Sequence, residues 1–432
     1  MSEISFFASG DSFIVRRYPG KDEAFKKLAE LIKQADVRFA NLETTVHNKE
    51  ATPSAQSGGT WAMAQSKVLD DIRDYGFNLL NLANNHTLDY LYDGIERTLH
   101  YLNQYDFVYA GVGMNLAEAD EPKYLETLNG RVALIGVCSS FFPFNPAGEQ
   151  RRDMKGRPGL NPLRFDRIHV VKPERIPALM EVAEKVELNT AHSLSIKEGF
   201  ASPLPEGQHL FAPGILFKEG EEEGLITKPN EKDMKRIIRR IHEAKRQSDY
   251  VLVSLHAHEM KGDRKDVAAD FVVEFAHRCI DEGAHAFIGH GPHILRGMEI
   301  YKNRPIFYSL GDFIFQNDSP THFPHDFYLN YGLGHEDTIA DAFDTRSDHG
   351  KKGLGTNRLC FESLVPFWTM EDGELKEITL YPIELGFGLP RYRMGWPQIT
   401  KNEEILKHFQ DLSEPYGTKI EIKDGVGKIV LK

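Results

Sequence analysis

Side chains able to ligate metal recur directly after apolar runs in this chain. Gly10-Asp11 follows the run 4–8, Asn41-Leu42-Glu43 closes the run 37–42, and Asn84-Asn85-His86 follows 77–83. His256-Ala257-His258-Glu259 follows 250–255, and Gly289-His290-Gly291-Pro292-His293 follows 286–288. Singly, each has an ordinary use: Asp11 in a turn, Glu43 on the surface, Asn85 as a helix cap, His256 at a strand end. Structural needs give little reason to place carboxylate, amide and imidazole at the same edge repeatedly, whereas a divalent transition ion takes this mixture of O and N donors. A pair of ions sharing a bridging carboxylate would use this many ligands, and hydrolysis is the chemistry such a pair supports.

The elements that must position these residues read as one large α/β domain. Short apolar runs at 4–8, 37–42, 77–83, 107–110 and 132–137 alternate with amphipathic stretches at 22–35 and 91–104. That is the βαβ pattern of a mainly parallel sheet covered by helices, whose loops converge on a crevice at the C-terminal strand ends. After Cys138 the pattern lapses through residues 141–230, read as an irregular insertion holding one helix near 173–188. Helix 231–247, strand 250–255, helix 266–281 and strand runs at 286–288, 297–301 and 305–310 restore it. A second irregular stretch, 317–357, contains His322, His325, His335 and His349, which read as ordinary loop composition. Residues 1–385 thus form the main domain. Residues 386–432 read as an extension, with a helix near 403–412 and a hairpin through Asp424-Gly425.

At 432 residues and 41% hydrophobic content, the chain can bury a sizeable core. Its net charge of -12 argues against nucleic acid, which is gripped by clustered Lys and Arg. The expected ligands are small molecules or metals, and the basic stretch Lys235, Arg236, Arg239, Arg240 interleaves with Ile237, Ile238 and Ile241 as a solvated helix face does. The 3 cysteines form no CxxC pair, against a disulfide framework or zinc knuckle. With the first strand starting at Ile4, and if Met1 is the natural start, the expectation is a cytoplasmic protein without a membrane segment. There is no GxSxG elbow, HExxH helix or GxxxxGK[ST] loop, and Gly111-Val112-Gly113 lacks the third glycine of a dinucleotide fingerprint.

Together with Asp89, Pro292 and the segment Tyr308-Ser309-Leu310-Gly311-Asp312-Phe313, the ordered motifs resemble the CapA family of poly-γ-glutamate or capsule synthesis proteins. That family is a branch of the calcineurin-like metallophosphoesterase superfamily. The resemblance runs over residues 4–315, and Tyr416-Gly417-Thr418 is similar to the family's C-terminal part. It implies a metallophosphoesterase sandwich, a β-sheet core flanked by helices, with insertions. It further implies that Asp11 binds one ion, Glu43 bridges, Asn85 and His256 bind the other, and His290 and His293 divide between them. The ions implied are Mn, Fe or Zn. His86 falls where the superfamily places a catalytic histidine, with Asp89 to orient it, and His258, Glu259 and Asp312 are accessory candidates. The sequence also departs from the pattern: Phe13 stands where the superfamily usually carries a His, Gly291 where the family often has His, and Asp312 where it often has Asn.

The resemblance implies a metal-dependent hydrolase acting on a phosphoester or a γ-glutamyl-type bond of a small molecule or polymer. Its rival is a non-catalytic metal-binding accessory protein of γ-glutamyl polymer or capsule synthesis. Phe13 favours the rival, and an intact His86 opposes it.

Overall fold

The computed structural model describes residues 3–431. Strand Ile4–Phe13 sends Ile4, Phe6 and Ala8 to one core and Phe7 to another, as a pleated strand does when both faces are buried. It lies inside a ten-stranded sheet. Strands Val37–Leu42, Leu79–Asn81 and Val108–Ala110 continue the sheet in parallel on one side of it. Strands Glu362–Glu371, Glu374–Glu384, Val426–Ile429 and Ile420–Lys423 continue it antiparallel on the other.

The remaining parallel strands form a second sheet rather than extending the first. Its order is Leu295–Tyr301, Arg304–Leu310, Ala286–His290, Tyr250–His256, Gly130–Cys138, Lys123–Thr127, with the inner four parallel. Phe6, Phe39, Leu134, Leu252, Ile288 and Trp368 fill the space between the sheets. Helices Glu23–Ile32, Val68–Tyr75 and Leu91–Gln104 cover the outer face of the first sheet, and Glu231–Ala244 and Asp270–Asp281 cover that of the second. Helix Glu231–Ala244 shows why: Met234, Ile237, Ile241 and Ala244 are buried, Glu231, Lys232, Lys235 and Arg239 are exposed, and the Asn230 side chain caps its first N–H groups. The result is the helix-flanked β-sandwich implied by the resemblance, in place of the single covered sheet suggested by run order.

Both stretches read as irregular are more ordered than that. Within 141–230, strands Gln208–Ala212, Ile215–Glu219, Phe165–Val171 and Gly224–Pro229 form a four-stranded sheet, joined by helices Ile176–Lys185 and Thr190–Lys197. These strands are half-exposed and carry Arg167, His169, Lys218 and Lys228, which dilutes the apolar periodicity. Within 317–357 lie helices His325–Asn330 and Ile339–Ser347, the latter opened by a Thr338/Asp341 capping box. The Asp424-Gly425 hairpin forms as expected, both residues having positive φ (56° and 81°), and its strand Val426–Ile429 joins the ten-stranded sheet. All three cysteines are free and buried. Among the described residues, no helix is long and apolar enough to cross a membrane.

His285, just before strand Ala286–His290, gives the fold a measurable acid sensitivity. Its Nδ1 accepts the Val251 N–H at 3.0 Å, so protonating that nitrogen breaks a bond between neighbouring strands. Burial, then the charges of Arg304 and Lys245, pull this imidazole down to about 4. An unfolded histidine titrates near 6.5, so the stability contributed by neutral His285 is complete above about pH 6.5 and is lost as pH falls towards 4. Asn at this position can still accept the Val251 N–H through its Oδ1. His285→Asn is therefore expected to unfold in urea like the wild type at about pH 7.5, and to lose about 2 kcal/mol less on acidification to about pH 5. Parallel pH profiles for the two proteins would contradict this.

Candidate metal centre

The alternation that places Tyr250 and Leu252 between the sheets also carries Ser254 and His256 to the same face, and the alternation through Ala286 and Ile288 carries His290 there. Val37 and Phe39 do the same for Asn41. Asp11 should face the opposite way from Phe6 and Ala8, but the pairing with Val37–Leu42 slips between Ala8 and Asp11. This bulge turns Asp11 inward. It depends on Gly10, where a Cβ would stand 1.8 Å from the Gly311 carbonyl oxygen, the atom that accepts the Asp11 N–H at 3.0 Å.

Asp11 accepts from the Asn41 amide at 2.7 Å and from the Gly291 N–H at 2.8 Å. Its Oδ1 lies 3.6 Å from His256 Nδ1 and 3.5 Å from His290 Nδ1, while Oδ2 lies 3.7 Å from His293 Nδ1. Glu43 Oε1 faces His256 Nε2 at 3.6 Å, His293 Nε2 at 3.8 Å and His86 Nε2 at 3.9 Å. The imidazoles also meet one another: His256 Nδ1 is 3.0 Å from His290 Nδ1, and His256 Nε2 is 3.1 Å from His258 Nε2. Asp312 pairs with His293 Nδ1 at 2.8 Å. His293 is held at φ 58°, a conformation that costs a non-glycine residue free energy and recurs at functional sites. The donor atoms fall into three overlapping sets, each within a 4.8 Å span: Asp11, His256, His290; Glu43, His256, His258; and Asp11, Glu43, His293, Asp312.

Electrostatics matches the geometry. Burial opposes the Asp11 carboxylate, but hydrogen bonding and charge from His256 and His290 prevail and hold it well below the usual range. Burial, then the charges of Asp11, Asp312 and Asp89, push Glu43 well above it. Burial pulls His256 down to about 4 and His258 well below its ordinary value, which leaves the neutral form that ligates metal. Burial would lower His293 as well, but the charge and hydrogen bond of Asp312 outweigh it and raise the ring; Asp312 is itself pushed by burial up to about 6.

The residues present fit a pair of divalent ions. Both Glu43 carboxylate oxygens, Asn85 Oδ1 and Asp312 Oδ2 are buried without a hydrogen-bond partner, an arrangement that a buried polar atom tolerates when it serves a cation. Asn85 directly precedes His86, and its Nδ2 donates to Gly58 O at 2.7 Å, which leaves Oδ1 as the free acceptor. His86 Nδ1 pairs with Asp89 Oδ2 at 2.6 Å, and Asp89 is fixed in turn by the N–H groups of Gly58 at 2.9 Å and Ala62 at 2.7 Å. Glu259 does not join the cluster; its carboxylate turns to the Ser139 and Ser140 hydroxyls at 2.7 and 3.0 Å. Phe13 packs edge-on against His86, with ring centroids 5.1 Å apart.

The structure adds a polar layer that sequence reasoning left out of the site. Asn41 Oδ1 accepts from Asn81 at 2.7 Å and from Asn84 at 3.4 Å, and Ser254 meets His290 Nε2 at 2.7 Å. Asn41, Asn81 and Ser254 each follow, two positions on, an apolar residue of the core between the sheets (Phe39, Leu79 and Leu252), a period-two signal that could have found them.

Residues 5–317 match the family described as "Bacterial capsule synthesis protein PGA_cap". Along nearly its whole length the chain is similar to "Uncharacterized protein y4sH" of Sinorhizobium fredii, at 35% identity over 99% of this chain and 93% of that protein. It is similar to "Capsule biosynthesis protein CapA" of Bacillus anthracis at 26% identity, over 70% of this chain and 56% of that one. "PGA biosynthesis protein CapA" of Bacillus subtilis matches at 22% identity, over 70% of this chain and 59% of that protein.

Proposed function

We propose, because the chain belongs to the bacterial capsule synthesis protein PGA_cap family, that it is a metal-dependent hydrolase acting on a phosphoester or a γ-glutamyl-type bond of a small molecule or polymer. The observation that carries this reading is Glu43: a fully buried carboxylate with no hydrogen-bond donor, facing imidazole nitrogens from three segments distant in the chain. Divalent ions bound there would supply Lewis acidity towards a phosphoryl or carbonyl oxygen and lower the pKa of water to about 7. Asp11, Asn85, His256, His258, His290, His293 and Asp312 would hold them, with Glu43 shared.

The chain's own residues supply the rest. Asp89 holds His86 through Nδ1 and so leaves Nε2 directed at the cluster, 3.9 Å from Glu43 Oε1. A proton carried on Nε2 can pass to the oxygen or nitrogen of a leaving group placed there. His86, Asp89, Glu43 and His256 are all buried, which keeps this proton donor out of bulk solvent.

The test is a panel of 4-nitrophenyl phosphate, bis(4-nitrophenyl) phosphate and γ-glutamyl-4-nitroanilide, assayed with Mn2+ beside His86→Ala. The expected result is turnover of one substrate class by the wild type that the variant loses. Phe13 in place of the superfamily's usual histidine favours a second reading, a metal-binding accessory protein of capsule or poly-γ-glutamate synthesis. That reading is supported instead if metal binds and the whole panel survives intact.

A further inference from the structure

Arg296 is one of the largest fully buried side chains of the protein, at 1% exposure, and among the described residues no carboxylate forms an ion pair with it. Burying a cation this way is costly unless its donors are used. They are used on backbone: Nε donates to Lys265 O at 3.0 Å, Nη1 to Ala257 O at 3.3 Å and Nη2 to His258 O at 3.3 Å. Burial lowers the guanidinium only to about 10, so it remains charged at neutral pH.

The place of this cation in the fold gives it meaning. Arg296 lies in strand Leu295–Tyr301, three residues after His293, and its guanidinium binds the loop that follows His256 and carries His258. It therefore ties together two loops of the metal centre whose imidazoles, His258 and His293, stand 5.4 Å apart between ring centroids. The C-terminal segment braces the same strand: Thr418 Oγ1 donates to Met298 O at 3.0 Å, and Ser413 Oγ accepts the Met298 N–H at 3.1 Å. On its other side, the His258 N–H donates to Ser140 Oγ at 2.8 Å, and that hydroxyl is engaged by Glu259. His258 lies beyond the end of strand Tyr250–His256, so no ladder bond fixes it; Arg296 and Ser140 grip its carbonyl and amide instead.

We infer that Arg296 is a positioning residue of the metal centre, clamping the 257–258 backbone so that His258 completes the ligand set formed with Glu43 and His256. This inference rests on the metal-binding reading above. A guanidinium spans three carbonyls in fixed directions, and an ammonium cannot. Partners behind metal ligands typically change affinity about 10–100-fold when mutated.

The test is calorimetric titration of Mn2+ into metal-free wild type, Arg296→Lys, His258→Ala and the double variant, with thermal unfolding of each metal-free protein as a control for folding. In Arg296→Lys, one of the two binding steps is expected to weaken about 10–100-fold while the other holds. His258→Ala is expected to weaken the same step, and adding Arg296→Lys to it should cost nothing further, which a merely structural role would not produce. Ser140→Ala, with its smaller perturbation, is expected to weaken that step too and carries the test alone if Arg296→Lys fails to fold. Wild-type affinity in Arg296→Lys and Ser140→Ala, or an equal loss from both steps that persists in the His258→Ala background, would overturn the clamp and leave the metal reading standing. A wild type that takes up no Mn2+ would overturn both.

Discussion

Replacing Glu43 by Gln is expected to make the metal-free protein more stable while removing most of the stabilisation that Mn2+ gives the wild type. The two effects have opposite signs because the carboxylate is poorly placed without a cation and well placed with one. In the folded chain it is fully buried, has no donor on either oxygen, and lies in the field of Asp11, Asp312 and Asp89, which with burial push its pKa well above the usual range. A neutral isostere removes that repulsion and brings an N–H2 group towards the acceptors around it, a gain of about 1–3 kcal/mol, the usual size for an unsatisfied buried group. A bound ion reverses the balance. At a free concentration about 1,000 times its dissociation constant, an ion stabilises the folded state by about 4 kcal/mol, and an amide oxygen in place of a bridging carboxylate would forfeit most of this. Thermal unfolding of both proteins with and without Mn2+ reads all four states. A Gln variant that is less stable without metal, and shifted by Mn2+ as much as the wild type, would show that Glu43 serves the fold and not an ion.

His86→Gln is expected to lower kcat by about 10²–10⁴ on whichever panel substrate the wild type turns over, with metal content unchanged. The separation is expected because His86 reaches Glu43 Oε1 only at 3.9 Å, whereas its firm contact is with Asp89 at 2.6 Å. Asp89→Asn should lose much of the same rate. Asp89 accepts hydrogen bonds on both oxygens, from Gly58 N on Oδ1 and from Ala62 N and His86 Nδ1 on Oδ2. Either orientation of an amide therefore turns its N–H2 group towards a backbone N–H, and one orientation also denies His86 its acceptor. Full activity in His86→Gln would remove it from the chemistry, and metal loss in His86→Gln would make it a ligand.

Much of this centre was legible because the strands that deliver it are ordinary. The runs 37–42, 250–255 and 286–288 end where the structure ends or nearly ends its strands, and Glu43, His256, His290 and His293 follow within a few residues, so that parallel strands bring them to one edge. Asp11 was legible by position but not by direction, since the bulge at Gly10 inverts the alternation and is specified by Gly311, some 300 residues away in the chain. The division of the strands between two sheets was hidden for a similar reason: runs 4–8 and 132–137 have the same apolar character, and only tertiary packing assigns them to opposite sheets. His258 was legible only as an accessory candidate, because period-two alternation puts it on the His256 face only where the strand continues. The strand stops at His256, and backbone contacts from Arg296 and Ser140 hold His258 instead. Arg296 itself carries no sequence signal, because a single arginine beside the run 297–301 reads as an exposed edge residue until its burial is seen. The sheet within 141–230 escaped because its strands are too exposed to show a clean period.

The central claim, that residues distant in sequence converge to hold cations, is tested most directly by anomalous diffraction from crystals of the protein grown or soaked with Mn2+. The expected map has two peaks about 3.5–4 Å apart, with Glu43 between them and Asp11, His256, His258, His290 and His293 around them. No peak within reach of Glu43, or Mn2+ bound only at surface carboxylates, would contradict the account.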